Sequence, residues 1–187
     1  MHDKHQLRQT IKQLKRALTP AEREELSRRI CAAIESLPGF DRVSRLMLYH
    51  ALPDEVDTRP LLSRWSTAKQ LYLPIVAGDD LVVAAYDEGA VKQGAFGIWE
   101  PADDTAVDPS LLEWIVVPGV AFDRRMNRLG RGKGYYDRLL QQTPARKIGI
   151  CYGLQMVDEI PAEPHDIQMD LIITENDIIY KNNEPWH

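Results

Sequence analysis

The 187-residue sequence is poor in the residue types that build disulfide frameworks and zinc sites. Its two cysteines, Cys31 and Cys151, lie far apart, and no Cys-x-x-Cys pair or Cys/His cluster accompanies them. This spacing argues against a zinc finger or a disulfide-stapled scaffold. Because both cysteines have apolar neighbours, we expect two reduced residues in the core.

Long apolar runs and an excess of positive charge are also missing. No run reaches the roughly 20 residues that cross a bilayer, and the first residues are polar and charged, unlike a signal peptide. The net charge is −5 and the isoelectric point is about 5.5. A chain without a broad positive field is a poor partner for nucleic acid or anionic membranes. We therefore expect a cytoplasmic protein with neither partner.

Strand-like and helix-like segments alternate along the chain, without repeats or a linker. An apolar stripe at Leu7, Ile11, Leu14 and Leu18 predicts a first helix over residues 3–18, and a capping box at residues 19–22 starts a second helix. The predicted strands cover residues 45–50, 71–76, 81–86, 114–117, 147–152 and 170–174, with a short addition at 178–180. This pattern predicts a single α/β domain over residues 1–187 with a mainly parallel sheet. Residues 78–80 form a turn that would make one pair an antiparallel hairpin.

The positive charge that the chain does have is concentrated in one loop. Five of the ten residues from Arg124 to Lys133 are Arg or Lys. The loop follows a predicted strand and precedes a predicted helix over residues 135–142. It reads Asn127-Arg128-Leu129-Gly130-Arg131-Gly132-Lys133-Gly134-Tyr135-Tyr136-Asp137.

This composition favours a phosphate-binding loop. Glycines at alternate positions let a ligand approach the backbone, and the amides at a helix start favour an anion. The loop is neither a P-loop, which needs Ser or Thr after Gly-Lys, nor a dinucleotide fingerprint, which needs a further glycine. A solvated basic loop is the alternative interpretation.

Candidate ligand contacts also occur outside the loop. Lys4 and Arg8 share one face of the first helix, as either a solvated basic face or a clamp on phosphate. His50 and Glu55 follow the first strand, at the edge where open α/β sheets bind ligands. Trp99 lies in a long polar connection over residues 87–107, and is either a core aromatic or a stacking surface for a flat ring.

The glycine-rich motif resembles the signature of the 5-formyltetrahydrofolate cyclo-ligase family. The resemblance extends to Leu52-Pro53-Asp54-Glu55-Val56-Asp57, to Phe96-Gly97-Ile98-Trp99-Glu100-Pro101 and to the basic first helix, from about residue 4 to 170. It implies a three-layer α/β/α sandwich. It also implies an ATP-dependent reaction that converts 5-formyltetrahydrofolate into 5,10-methenyltetrahydrofolate, ADP and phosphate, through phosphorylation of the formyl oxygen.

The resemblance also implies roles for individual residues. Arg131 and Tyr135 would border the reacting formyl group. His50, Glu55, Trp99 and Tyr135 would contact the folate, and Asp137 and Asp170 would hold Mg²⁺. The expected ATP-binding residues are Lys4, Arg8, Arg128, Leu129, Gly130, Arg131, Gly132, Lys133, Gly134, Tyr135 and Tyr136. The resemblance allows glycine as well as lysine at position 133, so it does not imply an invariant phosphate-binding lysine there. The expected state is a monomer or weak homo-oligomer.

Three other functions stay open on the residues alone. A sugar-phosphate isomerase-like enzyme would need a base–acid pair near the loop and no ATP. A nucleic-acid-binding module would use the basic loop and show a steep dependence on salt. A folate storage protein would bind folate without nucleotide turnover.

Overall fold

The structure is a computed structural model that describes residues 3–94, 97 and 99–186. Phe96 and Ile98, which belong to one of the resembling segments, lie outside the described residues. The helices are α1 (Lys4–Ala17), α2 (Pro20–Glu35), α3 (Arg59–Trp65) and α4 (Tyr135–Leu140). In the part of the chain that the structure describes, every helix is too short or too polar to cross a membrane.

The predicted capping box starts α2. The Glu22 amide donates to Thr19 Oγ1 at 3.2 Å, and the Thr19 amide donates back to Glu22 Oε2 at 2.8 Å. These reciprocal bonds satisfy two main-chain donors that a helix start leaves without partners. The boundary between α1 and α2 therefore follows from local sequence, as predicted.

The buried stripe of α1 differs from the prediction at one position. Leu7 and Ile11 are buried, but Leu14 is 46% exposed and Lys15 is only 4% exposed. From Ile11 the helical period allows the core-facing side to continue at either position 14 or position 15. Lys15 takes the inner position because its ammonium meets the Asp54 carboxylate there, 2.6 Å away.

Twelve short strands occur among the described residues. They are β1 (Arg45–Met47), β2 (Gln70–Ala77), β3 (Asp80–Ala85), β4 (Val91–Gln93), β5 (Trp99–Pro101), β6 (Trp114–Pro118), β7 (Ala121–Asp123), β8 (Arg128–Leu129), β9 (Arg146–Ile150), β10 (Met156–Val157), β11 (Leu171–Ile173) and β12 (Ile178–Tyr180).

Seven of these strands form the central sheet, in the order β12-β11-β9-β6-β1-β2-β3. Strands β11, β9, β6, β1 and β2 are mutually parallel, and β12 and β3 are antiparallel at the two edges. The prediction of a mainly parallel sheet is confirmed, and so is the hairpin of β2 and β3. The first strand ends at Met47, earlier than the predicted His50.

Consecutive residues of the central strands point to opposite faces, and each face has its own core. Leu46 and Val116 pack with α2 and α3 on one face, whereas Met47 and Ile115 pack on the face that α4 covers. A third, smaller core joins α1 to β7 and β8. Helices thus lie on both faces of the sheet, which confirms the predicted α/β layering.

Two small sheets were not predicted. Strands β4 and β5 form a hairpin inside the long connection over residues 87–107, and β10, β7 and β8 form a three-stranded sheet. Strands of two or three residues are too short to show a period of two in the sequence. The three-stranded sheet carries the basic loop, so it decides where that loop lies.

Candidate active site

The carboxyl ends of β1 and β6 open into a cavity of about 630 Å³. Its walls combine residues from α1, from the segment after β1 and from the basic loop before α4. These segments are far apart in the sequence. A cavity at this edge agrees with the general position of ligand sites in open α/β sheets.

The basic loop is held by a buried carboxylate that sequence reasoning missed. Asp123 is fully buried, and its carboxylate accepts hydrogen bonds from the Arg125, Asn127 and Ile160 amides at 2.9, 3.0 and 2.9 Å. The Asn127 side-chain amide donates another at 3.0 Å. Four donors tie the turn between β7 and β8 to the segment at residue 160. The start of the loop is therefore rigid.

Two loop glycines are required by the backbone itself. Gly132 has a φ of 105° and Gly134 a φ of 68°, a left-handed region that disfavours side chains. Gly130 is constrained by space instead, since a Cβ there would lie 2.9 Å from Arg128 Nη1. The alternate glycines thus let the loop turn tightly above the cavity.

Helix α1 brings its two predicted basic residues to this loop. Arg8 Nε donates to the Gly130 carbonyl oxygen at 2.9 Å. Lys4 Nζ lies 2.5 Å from Glu163 Oε2 and 2.9 Å from Asp166 Oδ2. Burial lowers the pKa of Lys4, but its bonds to these carboxylates outweigh burial and raise the pKa overall. The expected position of the pair is observed, and ATP binding by it stays a prediction.

Arg128 lines the cavity with a buried side chain, and its expected contact with phosphate stays a prediction. Its Nη2 donates to Asp137 Oδ2 at 3.0 Å, and its Nη1 donates to the Pro118 carbonyl oxygen at 3.3 Å. The guanidinium also lies 5.5 Å from the centre of the Tyr136 ring. Leu129 buries its side chain in the core beneath α1. In this structure these two residues brace the loop.

The two expected magnesium ligands do not meet. Asp137 is paired with Arg128, as described above. Asp170 lies at the amino end of β11 and outside the cavity, where its Oδ2 accepts from the Lys147 amide at 2.9 Å. A residue that precedes a parallel strand lies at the amino ends of the strands, whereas ligands bind at their carboxyl ends. The placement of Asp170 in the site is therefore corrected, and the predicted pair does not fit the ion.

Arg131 connects the loop to the segment after β1. Its Nη2 lies 2.7 Å from Asp54 Oδ1 and 3.1 Å from Glu55 Oε1. Glu55 Oε2 accepts from the Leu52 amide at 3.0 Å, so both of its oxygens are engaged. Burial raises the pKa of Asp54, but hydrogen bonds from Lys15 and Arg131 outweigh burial and lower it to about 2. Asp54 is thus ionised throughout the neutral range.

The aromatic candidates have different positions. The Tyr135 hydroxyl donates to the Gly78 carbonyl oxygen at 3.3 Å, whereas the buried Tyr136 hydroxyl has no hydrogen-bond partner among the described residues. Burial, with the nearby charge of Glu55, raises the pKa of Tyr136, so this phenol is neutral. Both tyrosines line the cavity, as expected.

His50 and Trp99 form the next pair of candidates. Their rings lie 6.3 Å apart, and His50 lines the cavity. Burial and the charge of Arg59 lower the pKa of His50, so its imidazole is neutral at pH 7. Trp99 is 42% exposed and outside the described lining, so it is a rim residue and not a core aromatic.

Two acidic residues that line the cavity, Glu163 and Asp166, had no signal in the sequence. Both come from an irregular segment, and only the fold brings them to Lys4.

Glu100 also lines the cavity. Its side chain is only 4% exposed, and its carboxylate accepts a hydrogen bond from the Val76 amide at 3.2 Å. A Cβ on Gly94 would overlap the Glu100 carboxylate, so the chain passes closely over this group. Lys133 is exposed and makes no ion pair with any described residue.

Comparison with known proteins agrees with the family resemblance of the glycine-rich motif. A family model for the 5-formyltetrahydrofolate cyclo-ligase family matches residues 1–175. The 5-formyltetrahydrofolate cyclo-ligase of Escherichia coli strain K12 is 30% identical over 174 residues, which cover 88% of this chain and 96% of that protein.

Two solved structures show the same fold. The 5,10-methenyltetrahydrofolate synthetase of Aquifex aeolicus has a TM-score of 0.89 at 34% identity, covering 98% of this chain and 95% of that one. The corresponding synthetase of Mycoplasma pneumoniae has a TM-score of 0.77 at 28% identity, covering 93% of this chain and 99% of that one. The chain belongs to the 5-formyltetrahydrofolate cyclo-ligase family.

Proposed function

We propose that this chain converts 5-formyltetrahydrofolate and ATP into 5,10-methenyltetrahydrofolate, ADP and phosphate. The observation that carries the proposal is the composition of one cavity. Its basic side contains Lys4, Arg8 and Arg131, and its apolar side contains Val76 and Leu81. A space of about 630 Å³ with both kinds of wall suits a flat heterocycle next to a polyphosphate.

The chemistry requires a better leaving group on a formamide. The formyl oxygen attacks the γ-phosphorus of ATP, the bond from that phosphorus to the bridging oxygen breaks, and ADP leaves. The second folate nitrogen then attacks the formyl carbon and loses its proton. Finally the carbon–oxygen bond breaks, phosphate leaves, and the methenyl bridge closes the ring. Both steps depend on aligning two substrates and on neutralising phosphate charge.

The side chains of the cavity are suited to those two tasks. Arg131, Lys133 and Lys4 provide positive charge for the phosphoryl group, and the loop brings the first two to the cavity. Phosphate would replace the carboxylates that Lys4 contacts. The described lining includes no serine, threonine or cysteine, so the proposal assigns no protein nucleophile. Tyr135 and Glu55 border the same space and are proposed to contact the folate.

Magnesium enters this proposal as the ion that accompanies ATP. Mg²⁺ usually keeps several waters and binds substrate phosphates together with one or two carboxylates. Since Asp137 and Asp170 do not meet, no pair of protein ligands is proposed. When bound, the ion would neutralise part of the phosphate charge, and the cationic side chains of the loop would neutralise the remainder. We also propose a cytoplasmic enzyme whose residues 1–187 act as one domain, as a monomer or weak homo-oligomer.

The test is spectroscopic. The protein is mixed with 5-formyltetrahydrofolate, ATP and Mg²⁺, the methenyl-folate chromophore is followed, and parallel samples lack ATP. We expect product only with ATP, with ADP and phosphate formed in equal amounts. Binding of both ligands without product would contradict the enzyme and favour a storage protein. Absence of binding by either ligand would refute the cavity assignment.

A further inference from the structure

A buried lysine on α1 lies behind the proposed phosphate site. Lys15 Nζ lies 2.6 Å from Asp54 Oδ2 and donates to the Asp54 carbonyl oxygen at 2.9 Å. Lys15 therefore fixes both the side chain and the main chain of Asp54. Removing a lysine from water is unfavourable unless its charge is paired. This lysine does not line the cavity, so it has no direct ligand to hold.

The segment around Asp54 is held from several sides. The Tyr152 hydroxyl donates to the Glu55 carbonyl oxygen at 3.0 Å, and the Tyr49 hydroxyl donates to the Val56 carbonyl oxygen at 2.9 Å. Arg23 Nη1 donates to the Pro53 carbonyl oxygen at 3.0 Å. Asp54 is thus a charged group on a rigid support, and its second oxygen is directed at Arg131.

Arg131 needs such a support, because its own surroundings restrain it little. Its side chain is 50% exposed, and glycines lie on both sides of it in the loop. A long arginine in that setting would otherwise occupy many rotamers. Asp54 and Glu55 both bind the same nitrogen, Nη2. Among the described residues, Nε and Nη1 have no partner, so those donors are left for a ligand in the cavity.

We propose that Lys15 is a positioning residue, which acts through Asp54 to orient Arg131 toward the transferred phosphoryl group. This inference rests on the proposed function. Helix α1 then has two tasks. Lys4 and Arg8, in the first two turns of the helix, contact the ligand. Lys15 lies two turns after Arg8 on the same side of the helix and supports Arg131 through Asp54.

The test compares single and combined variants in the cyclisation assay. Lys15→Met has a similar volume without the charge, and Lys12→Met is the matched control, because Lys12 is exposed on the same helix. A misplaced catalytic group costs up to about 100-fold in rate. We expect Lys15→Met to lower kcat/KM by about 10- to 100-fold and Lys12→Met to leave it unchanged.

The combined variants separate positioning from a purely structural role. If Lys15 acts through Arg131, then adding Lys15→Met to Arg131→Ala causes no further loss of kcat/KM. The double variant should still have a lower Tm than Arg131→Ala, because Lys15→Met removes the buried contacts with Asp54. Adding Lys15→Met to Asp54→Asn likewise causes little further loss. An equal further loss with and without Arg131 would overturn the proposal.

Two additions keep the test informative if Lys15→Met does not fold or if the wild type lacks turnover. Asp54→Asn breaks the connection from Lys15 to Arg131 at a partly exposed residue. If Lys15→Met does not fold, the double-mutant cycle is therefore measured with Asp54→Asn and Arg131→Ala. Wild-type turnover is measured first. If the wild type lacks turnover, the proposed function fails, and the same cycle is run on ATP affinity by calorimetry. Loss of affinity in Lys15→Met that disappears without Arg131 would then support the positioning role, and unchanged affinity would refute it.

Discussion

Replacing Arg131 with alanine separates the cost to catalysis from the cost to folding. The side chain is half exposed on a loop, and its partners among the described residues are the carboxylates of Asp54 and Glu55. Surface ion pairs contribute about 0.2–1 kcal/mol each. Glu55 is the more buried partner, with a side chain 11% exposed, so its pair lies toward the upper end. Loss of both pairs is expected to cost about 1 kcal/mol.

The expected loss of activity is much larger. A positively charged donor directed at a transferring phosphoryl group accounts for about 10³-fold or more in rate, or about 4 kcal/mol. Alanine removes the free Nε and Nη1 donors together with the positive charge. We therefore expect kcat/KM to fall by about 10³-fold. For a chain of this size, 1 kcal/mol lowers Tm by only about 2–4 °C.

The assay follows the methenyl chromophore, and thermal unfolding is measured on the same samples. Arg125→Ala is the matched control, because Arg125 also loses an exposed ion pair, to Glu159 at 2.8 Å. The control should lose stability without losing turnover. If Arg131→Ala kept wild-type turnover, or lost activity only in proportion to unfolding, the assignment of Arg131 to the phosphoryl group would be wrong.

Three further predictions follow from other contacts. Lys4→Ala should raise the KM for ATP about 10-fold, because one charge at the phosphates is lost, with the KM for 5-formyltetrahydrofolate unchanged in steady-state kinetics. Asp170→Asn should leave the dependence of turnover on Mg²⁺ concentration unchanged, since Asp170 lies outside the cavity; a shifted Mg²⁺ titration would contradict that placement. The lowered pKa of Asp54, about 2, stabilises the fold above pH 4, and this contribution is lost as pH falls through 2. Because the side chain is 38% exposed, the contribution is about 1 kcal/mol. The stability gap between wild type and Asp54→Asn, from urea unfolding, should narrow between pH 4 and pH 2; a constant gap would refute it.

Features that depend on neighbouring residues were predictable from the sequence. The capping box at Thr19 and Glu22, the hairpin of β2 and β3, and the apolar strand β6 all follow from local rules, and the structure confirms them. The basic loop was recognisable because glycine alternates with the basic residues Arg131 and Lys133 over a continuous stretch. Its resemblance to a family is confirmed by the family match over residues 1–175.

Features that depend on partners from distant segments were not predictable. The helical period allowed either Leu14 or Lys15 on the inner side of α1, and Lys15 lies there because it pairs with the Asp54 carboxylate. Asp170 looked suitable as a metal ligand by residue type, but it precedes β11 and lies at the amino ends of the strands, away from the cavity. No local pattern indicated that the Leu52 amide and Arg131 would each contact one Glu55 oxygen in the fold.

The sequence by itself determined the α/β layering, the position of the basic loop between a strand and a helix, and the family. The layering and the loop position depend on backbone preferences and side-chain periodicity within one element, which neighbouring residues encode, whereas the family follows from the resemblance of the glycine-rich motif to a known signature. Only the tertiary structure decided which charges meet: Lys15 with Asp54, Asp54 with Arg131, Lys4 with Glu163, and Arg128 with Asp137. The first three of these pairs join segments that are far apart in the sequence. They form because the fold places their charged atoms within 3 Å of each other, and Coulomb attraction depends on distance in space rather than on separation in sequence.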